Sequence, residues 1–232
     1  MKKPVFYTEI AFVASLLLLA FGTALMEAGG FGISMVAAPA YVLHLKLSQY
    51  WPVFTFGVTE FGTQVLALAG MMLLVRRAKW GYLFTFATAL LYGRLLDAAI
   101  AAVSLIPVAG VISRIALYLP GLVLCSAAIG LILQSYFPPA AYELFVKEVS
   151  AKWKKPFRTV KTVYDLSSLA LAIGLSLLLL GRWEGIGIGT VVGALINGAL
   201  IDSFGRLYRR LFTFRDAVPG WRGKFEERED SV

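Results

Sequence analysis

The chain has 232 residues, of which 59 % are hydrophobic and 16 % charged, and its mean hydropathy is +0.75. These values exclude an ordinary soluble globular domain and predict a protein whose main solvent is lipid. The formal net charge is +8, but the lysines and arginines fall between apolar segments and at the chain ends, so nucleic acid is not expected as a partner. With one cysteine and one histidine, neither a metal site nor a bound cofactor is expected.

Apolar segments long enough to cross a bilayer recur six times along the chain. A hydrocarbon core of about 30 Å requires about 20 mostly apolar residues per helix. In chain order, the predicted spans are Glu9–Ala28, Trp51–Val75, Trp80–Ile106, Val111–Ser135, Val160–Leu180 and Gly185–Phe204. The first apolar run is too long for a cleavable signal sequence, so it is expected to remain as an anchor. The pattern predicts an all-α membrane protein with six transmembrane helices.

The connections between these spans carry positive charge in alternation. The basic group comprises Lys2 and Lys3, then Arg76, Arg77 and Lys79, then Lys147, Lys152, Lys154, Lys155 and Arg158, and finally Arg206, Arg209, Arg210 and Arg215. By the positive-inside rule these connections are cytoplasmic. The expected location is therefore a bacterial cytoplasmic (inner) membrane, with both termini inside.

Two long connections, after spans one and four, are predicted to form interfacial or re-entrant helices. Ile33–Tyr50 is apolar and contains Pro39. Pro138–Pro156 is amphipathic, and its charged side includes Glu143, so it is expected to lie along the inner leaflet against anionic lipid. Residues 212–232 are predicted to form a disordered cytoplasmic tail.

An internal repeat appears when the sequence is shifted by 105 positions, which superposes Val58–Asp97 on Val163–Asp202. Twelve of the forty pairs are identical. The informative identities are polar or small residues: Arg77/Arg182, Thr85/Thr190, Ala89/Ala194, Gly93/Gly198 and Asp97/Asp202. Since each half holds three spans, the halves, residues 1–110 and 111–211, are predicted to form an inverted-topology repeat.

Two carboxylates at equivalent positions of this repeat, Glu60 and Asp165, are the leading candidates for substrate or proton binding. An ionisable side chain in the hydrocarbon costs about 2.5–3.5 kcal/mol on insertion scales, so it usually faces protein or a cavity and has a partner. One hypothesis is that both line a central cavity. The alternative is that each forms a structural ion pair or a hydrogen bond to a neighbouring helix. Asp165 could also lie close enough to the inner interface to remain hydrated.

Four further polar residues are weaker candidates for substrate contact. Arg94 and Asp97 have a spacing that favours a mutual ion pair, although Arg94 could instead reach toward Glu60 or an anionic substrate. Thr190 and Asn197 lie on the glycine-rich face of the last span, where substrate contact and interhelical hydrogen bonding are both reasonable. Pro120 is expected to break or kink the fourth span.

The glycine-rich motifs resemble those of the YczE/YitT-like group of bacterial membrane proteins. They are Gly22-x-Ala24-Leu25, Gly30-Phe31-Gly32-Ile33-Ser34, and Gly187-Ile188-Gly189-Thr190 with Gly198 and Ile201-Asp202. Met35 stands where that group is expected to have proline. The resemblance covers most of residues 10–211 and implies six spans in a bacterial inner membrane, but it transfers no site residue. In size and topology the chain is also distantly similar to the substrate-binding components of energy-coupling-factor transporters.

The sequence favours a small secondary transporter or exporter of an unidentified small molecule, possibly proton-coupled. One alternative is a substrate-binding membrane subunit that works with an energising partner, and another is a lipid-binding scaffold or scramblase. No nucleophile and base stand at a recognisable spacing, so an enzyme is not expected. Glycine-faced helices would also suit a homodimer.

Overall fold

The computed structural model describes residues 3–76, 81–182, 184–218 and 220. Within these ranges the chain forms eight helices and two short strands. In chain order they are β1 (Val5–Tyr7), α1 (Thr8–Gly29), α2 (Ala38–Leu47), α3 (Phe56–Val75), α4 (Gly81–Val103), α5 (Gly110–Ile132), α6 (Ala141–Trp153), α7 (Phe157–Leu175), α8 (Ile188–Leu211) and β2 (Thr213–Arg215). Helix α7 continues as a π-helical turn over Ser176–Leu180.

Six of the described helices are long and apolar enough to cross a membrane: α1, α3, α4, α5, α7 with its π-helical turn, and α8. They confirm the six predicted spans, and the chain is a multi-pass membrane protein. The largest difference at a boundary is in the sixth span, which ends at Leu211 instead of Phe204. The second span begins at Phe56 instead of Trp51 because Thr55 caps the helix. Its side-chain oxygen accepts a hydrogen bond from the backbone N–H of Val58, which satisfies one of the free donors at the helix start.

The two short helices predicted after spans one and four are present as α2 and α6, and both enter the interior of the protein. Helix α6 begins beside the middle of α3, where the backbone N–H of Ala141 donates to Gln64. It ends beside the last turn of α3, where Lys152 donates to the carbonyl of Leu74. Helix α2 emerges at the other end of α3, where the His44 ring hydrogen-bonds the carbonyl of Phe54.

The first half of α6 is buried in protein, whereas the expectation was of a helix lying along the inner leaflet. Its charged residue Glu143 is buried together with Tyr142 and Leu144 between α3 and α7. The amphipathic pattern was assigned to a lipid surface because a sequence does not show whether an apolar helix face packs on lipid or on protein. Here a lysine of α7 supplies the charge that allows Glu143 to be buried.

Close helix crossings are made through pairs of glycines. Helix α1 packs along α5, and a Cβ atom added at Gly22 would lie 2.9 Å from the carbonyl oxygen of Gly121. Helix α3 crosses α4 still more closely, since a Cβ at Gly57 would lie 2.0 Å from the carbonyl oxygen of Gly93. Helix α5 runs without interruption through Pro120, so of the two expected effects, a break or a kink, the break is not observed. Neighbouring helices stabilise such a proline in membrane proteins.

A second backbone contact joins the loop after α1 to the glycine-rich start of α8. The N–H of Gly189 donates to the carbonyl of Phe31, and the N–H of Ile33 donates to the carbonyl of Gly185. Gly32 has a φ of +97°, and a Cβ there would lie 2.1 Å from the side-chain oxygen of Thr190. Only glycine fits this position without displacing the loop.

The chain ends meet at one end of the molecule. Strand β1 pairs in parallel with β2, Val5 opposite Thr213, and the backbone N–H groups of Ala217 and Val218 both donate to the Glu9 carboxylate. The start of the predicted disordered tail is therefore structured as far as Val218 because Glu9 anchors it. Pro219 and residues 221–232 lie outside the described residues.

The packing of the helices follows the predicted repeat. Helix α1 contacts α4 as α5 contacts α8, α3 contacts α4 as α7 contacts α8, and α3 contacts α6 as α7 contacts α2. In each comparison, every helix is replaced by its counterpart in the other half of the chain. The counterparts are α1 and α5, α2 and α6, α3 and α7, and α4 and α8. The inverted relation of the halves itself stays a prediction.

Candidate functional site

A buried ion pair between residues of α7 lies at the interface with α6. The Lys161 Nζ is 2.9 Å from Oδ1 of Asp165, one helical turn further along, and 3.8 Å from Oε1 of Glu143 on α6. Lys161 and Asp165 are both 0 % exposed, and Glu143 is 3 % exposed. Asp165 is thus fully buried, and not in a wet position near an interface.

Glu60 of α3 is the fourth ionisable group of this interior and is 1 % exposed. Its Oε1 accepts a hydrogen bond from Gln64 at 3.2 Å, whereas its Oε2 has no hydrogen-bond partner within the described residues. Gln64 in turn accepts a hydrogen bond from the N–H of Ala141, two residues before Glu143, so Glu60 lies close to the start of α6. We call Glu60, Glu143, Lys161 and Asp165 the charge cluster.

The charge cluster holds more negative than positive groups. With all four ionised, the sum is +1 from the lysine and −3 from the carboxylates, or −2. Burial raises the pKa of the Glu143 carboxyl above its usual value, and the positive charge of Lys161 opposes that rise. Since an uncompensated buried charge is costly, the cluster is suited to hold protons or a cationic group.

Asn197 and Thr190 of α8 both line a small cavity. The cavity is enclosed by α1, α5, α8 and the loop after α1, and its polar lining is Ser34, Cys125, Thr190 and Asn197. Asn197 accepts a hydrogen bond from Ser126 at 3.0 Å and approaches Asp165 on its other side. The hydroxyl of Thr190 accepts from the N–H of Gly187 and so caps the start of α8. Asn197 therefore connects the cavity to the charge cluster.

Arg94 and Asp97 lie apart from this site and from each other. Asp97 accepts hydrogen bonds from the hydroxyl of Thr55 at 2.7 Å and from the N–H of Gly57 at 2.8 Å, so it anchors the start of α3 against α4. Arg94 is exposed and forms no ion pair within the described part of the chain. The carboxylate at the equivalent repeat position, Asp202, pairs with Arg206 on the surface, as the spacing of four residues predicted.

Comparison with known protein families gives one match for this chain. Residues 6–206 match the sequence family described as a family of unknown function, DUF6198. The chain belongs to this family. The matched region of DUF6198 contains the whole charge cluster and every residue that lines the cavity. No curated protein and no solved structure shows significant similarity to the chain.

Two members of the charge cluster, Lys161 and Glu143, were not among the residues singled out by the sequence. The available signal for Lys161 was its spacing of four residues from Asp165, which puts both side chains on one helix face. This spacing alone does not predict a buried ion pair, because Lys161 stands at the predicted start of a span, where basic residues are common. Among the described residues, no three histidine, cysteine, aspartate or glutamate side chains are placed to hold a metal ion.

Proposed function

We propose that this member of DUF6198 is a small secondary transporter or exporter coupled to protons, and that the charge cluster is its proton-binding centre. The observation that carries the proposal is a buried lysine paired with two buried carboxylates, Asp165 and Glu143, in an interior that also buries the carboxylate of Glu60. Two of these carboxylates need protons or a cationic substrate group for the cluster to be neutral. Buried ionisable groups inside membrane proteins commonly mark proton relays and substrate paths.

The surroundings of the cluster support the same proposal. The cavity beside Asn197 is lined mainly by apolar groups, with Ser34, Cys125, Thr190 and Asn197 as its polar members and no charged side chain. It has room for about one water molecule in this structure, so in this proposal a substrate binds in a wider state of the same site. Helices α2 and α6 emerge at opposite ends of α3, and re-entrant or discontinuous helices of this kind are typical of transporters with inverted repeats. In this proposal the joined chain ends lie in the cytoplasm, on the basic side of a bacterial inner membrane.

The first test requires a ligand and a direct measurement of proton movement. The purified protein is screened by thermal stability against metabolites, cations and lipids at pH 5 and pH 8, since a ligand that binds the folded state raises the unfolding midpoint. A ligand found in this way is then applied as a gradient across proteoliposomes that contain a pH-sensitive dye. We expect the gradient to drive proton movement with the wild type and none with Glu60→Gln.

The matched control is Glu184→Gln, the same chemical change at a partly exposed glutamate that pairs with Arg182. It should transport like the wild type. Proton movement by Glu60→Gln at the wild-type rate would contradict the proposed role of the cluster. Ligand binding without any flux by the pure protein would instead favour a binding subunit that needs an energising partner.

The scaffold alternative loses its main support from the position of α6. That hypothesis required the amphipathic helix to lie on anionic lipid, whereas its apolar face and Glu143 are buried against α3 and α7. Stabilisation by anionic lipids alone in the same screen would restore it.

A further inference from the structure

A charged side chain is exposed well inside α4, one of the six helices long and apolar enough to cross a membrane. Arg94 is the fourteenth of the 23 residues of α4, so it lies about 20 Å from one helix end and about 14 Å from the other at a rise of 1.5 Å per residue. An extended arginine side chain reaches only about 7 Å from its Cα. Its guanidinium is therefore within the hydrocarbon, where an unpaired charge is costly.

The residues around Arg94 form a surface suited to close contact with another helix. Leu90, Leu91, Ala98 and Ala101 are all exposed on this side of α4. Together with Arg94 we call them the α4 surface. The alanines allow two backbones to approach closely, as small residues do at membrane helix interfaces. An arginine in the middle of this surface needs an acidic partner that the described part of the chain does not supply to it.

An acidic group stands at the edge of the same surface. Asp97 is half-buried, and each of its oxygens accepts one hydrogen bond, from Thr55 or from Gly57, which leaves further acceptor capacity. In a twofold dimer with parallel α4 helices, each Arg94 would face the Asp97 of the partner, three residues away along the helix. Such a reciprocal contact is the signature of an isologous interface, where residue i meets j and j meets i.

We propose that a second copy of this chain binds the α4 surface, and that two reciprocal ion pairs between Arg94 and Asp97 hold the homodimer together. A lipid phosphate fits less well because Arg94 lies too deep to reach the headgroups. The proposal is independent of transport, since the charge cluster lies on α3, α6 and α7.

Cysteine cross-linking in native membranes tests the position of the interface. In a Cys125→Ala background, Ala98→Cys places one thiol on the α4 surface, and Leu178→Cys, 84 % exposed on the π-helical turn after α7, is the matched control. A disulfide requires the two Cα atoms to lie within about 7 Å. We expect oxidation to cross-link Ala98→Cys into a dimer and to leave Leu178→Cys monomeric. Equal yields at the two sites would overturn the proposal.

The strength of the contact is measured as the monomer–dimer equilibrium of the full chain in lipid nanodiscs or detergent. Arg94→Ala is expected to raise the dissociation constant about tenfold or more, Arg94→Lys to raise it less, and Arg114→Ala, at an exposed arginine of α5, to leave it unchanged. The two Arg94 variants should keep the unfolding midpoint of the monomer because Arg94 is exposed and forms no ion pair or side-chain hydrogen bond within the described ranges. A wild type that is monomeric at every concentration, or monomeric with anionic lipid retained by Arg94, would overturn the proposal.

Discussion

Lys161→Met is expected to lower the free energy of unfolding by about 3–5 kcal/mol, because it leaves Asp165 and Glu143 buried without a positive charge. Methionine keeps most of the aliphatic volume of lysine, so the loss reports the charge and not a cavity. The measurement is thermal or denaturant unfolding in detergent. For a chain of this length, each kcal/mol corresponds to a shift of about 2–4 °C in the unfolding midpoint.

Two further variants separate this effect from general sensitivity to mutation. Lys147→Met, at an exposed lysine of α6, should change stability by no more than about 0.5 kcal/mol. The double variant Lys161→Met/Asp165→Leu should recover part of the loss because it removes both members of the closest pair. A single Lys161→Met variant as stable as the wild type would show that the carboxylates are already neutral without the lysine.

The Lys161→Met variant should also become more stable as the pH falls through the raised pKa of Glu143 toward its ordinary value of 4.5. Burial raises the pKa of Glu143 in the folded state, so the folded protein binds this proton at a higher pH than the unfolded chain does. The stabilisation is complete below the ordinary value of 4.5 and is lost as the pH rises through the raised value. Removing Lys161 takes away the charge that opposes this rise. The double variant Lys161→Met/Glu143→Gln should lose the part of the pH dependence that Glu143 causes. If its stability depends on pH as that of Lys161→Met does, Glu143 is not the titrating group.

Gly57→Ala is expected to destabilise the protein by about 1–3 kcal/mol or more, because the new methyl group would be forced against backbone. The added Cβ would lie 2.0 Å from the Gly93 carbonyl oxygen and 2.6 Å from an oxygen of Asp97. Neither atom can move without separating α3 from α4 or breaking the hydrogen bond from the Gly57 N–H to Asp97. The unfolding midpoint in detergent measures the loss.

The same helix supplies the control. A Cβ added at Gly62 meets nothing within 4 Å, so Gly62→Ala should be neutral or stabilising by about 0.5–1 kcal/mol through helix propensity. An equal loss of stability in both variants would contradict the close approach of α3 to α4 at Gly57 and Gly93.

The membrane-spanning part of the fold was predictable from the sequence because it depends on local quantities. Length and hydropathy locate a span whatever its neighbours are, and all six predicted spans correspond to observed helices. The helices after spans one and four also follow from local pattern. The glycines of the last span predicted a close backbone contact, although not that its partner would be the loop at Phe31 and Gly32.

The partners of the charged residues could not be predicted in the same way. Arg94 and Asp97 have the spacing of an ion pair, but Asp97 instead binds the start of α3. The same spacing in Lys161 and Asp165 does form an ion pair. A spacing of three or four residues shows only that two side chains share a helix face. The neighbouring helix decides which of them meet.

The sequence by itself determined how many times the chain crosses the membrane and where the short helices lie along it. These follow from hydrophobic length and backbone sterics, which act within a segment. Only the tertiary structure decided that Glu143 and Lys161 join Asp165 and Glu60 in one buried cluster, and that Arg94 is left outside it. The physical reason is that a buried charge is stabilised by groups brought to it from other helices, and their distances are set by packing.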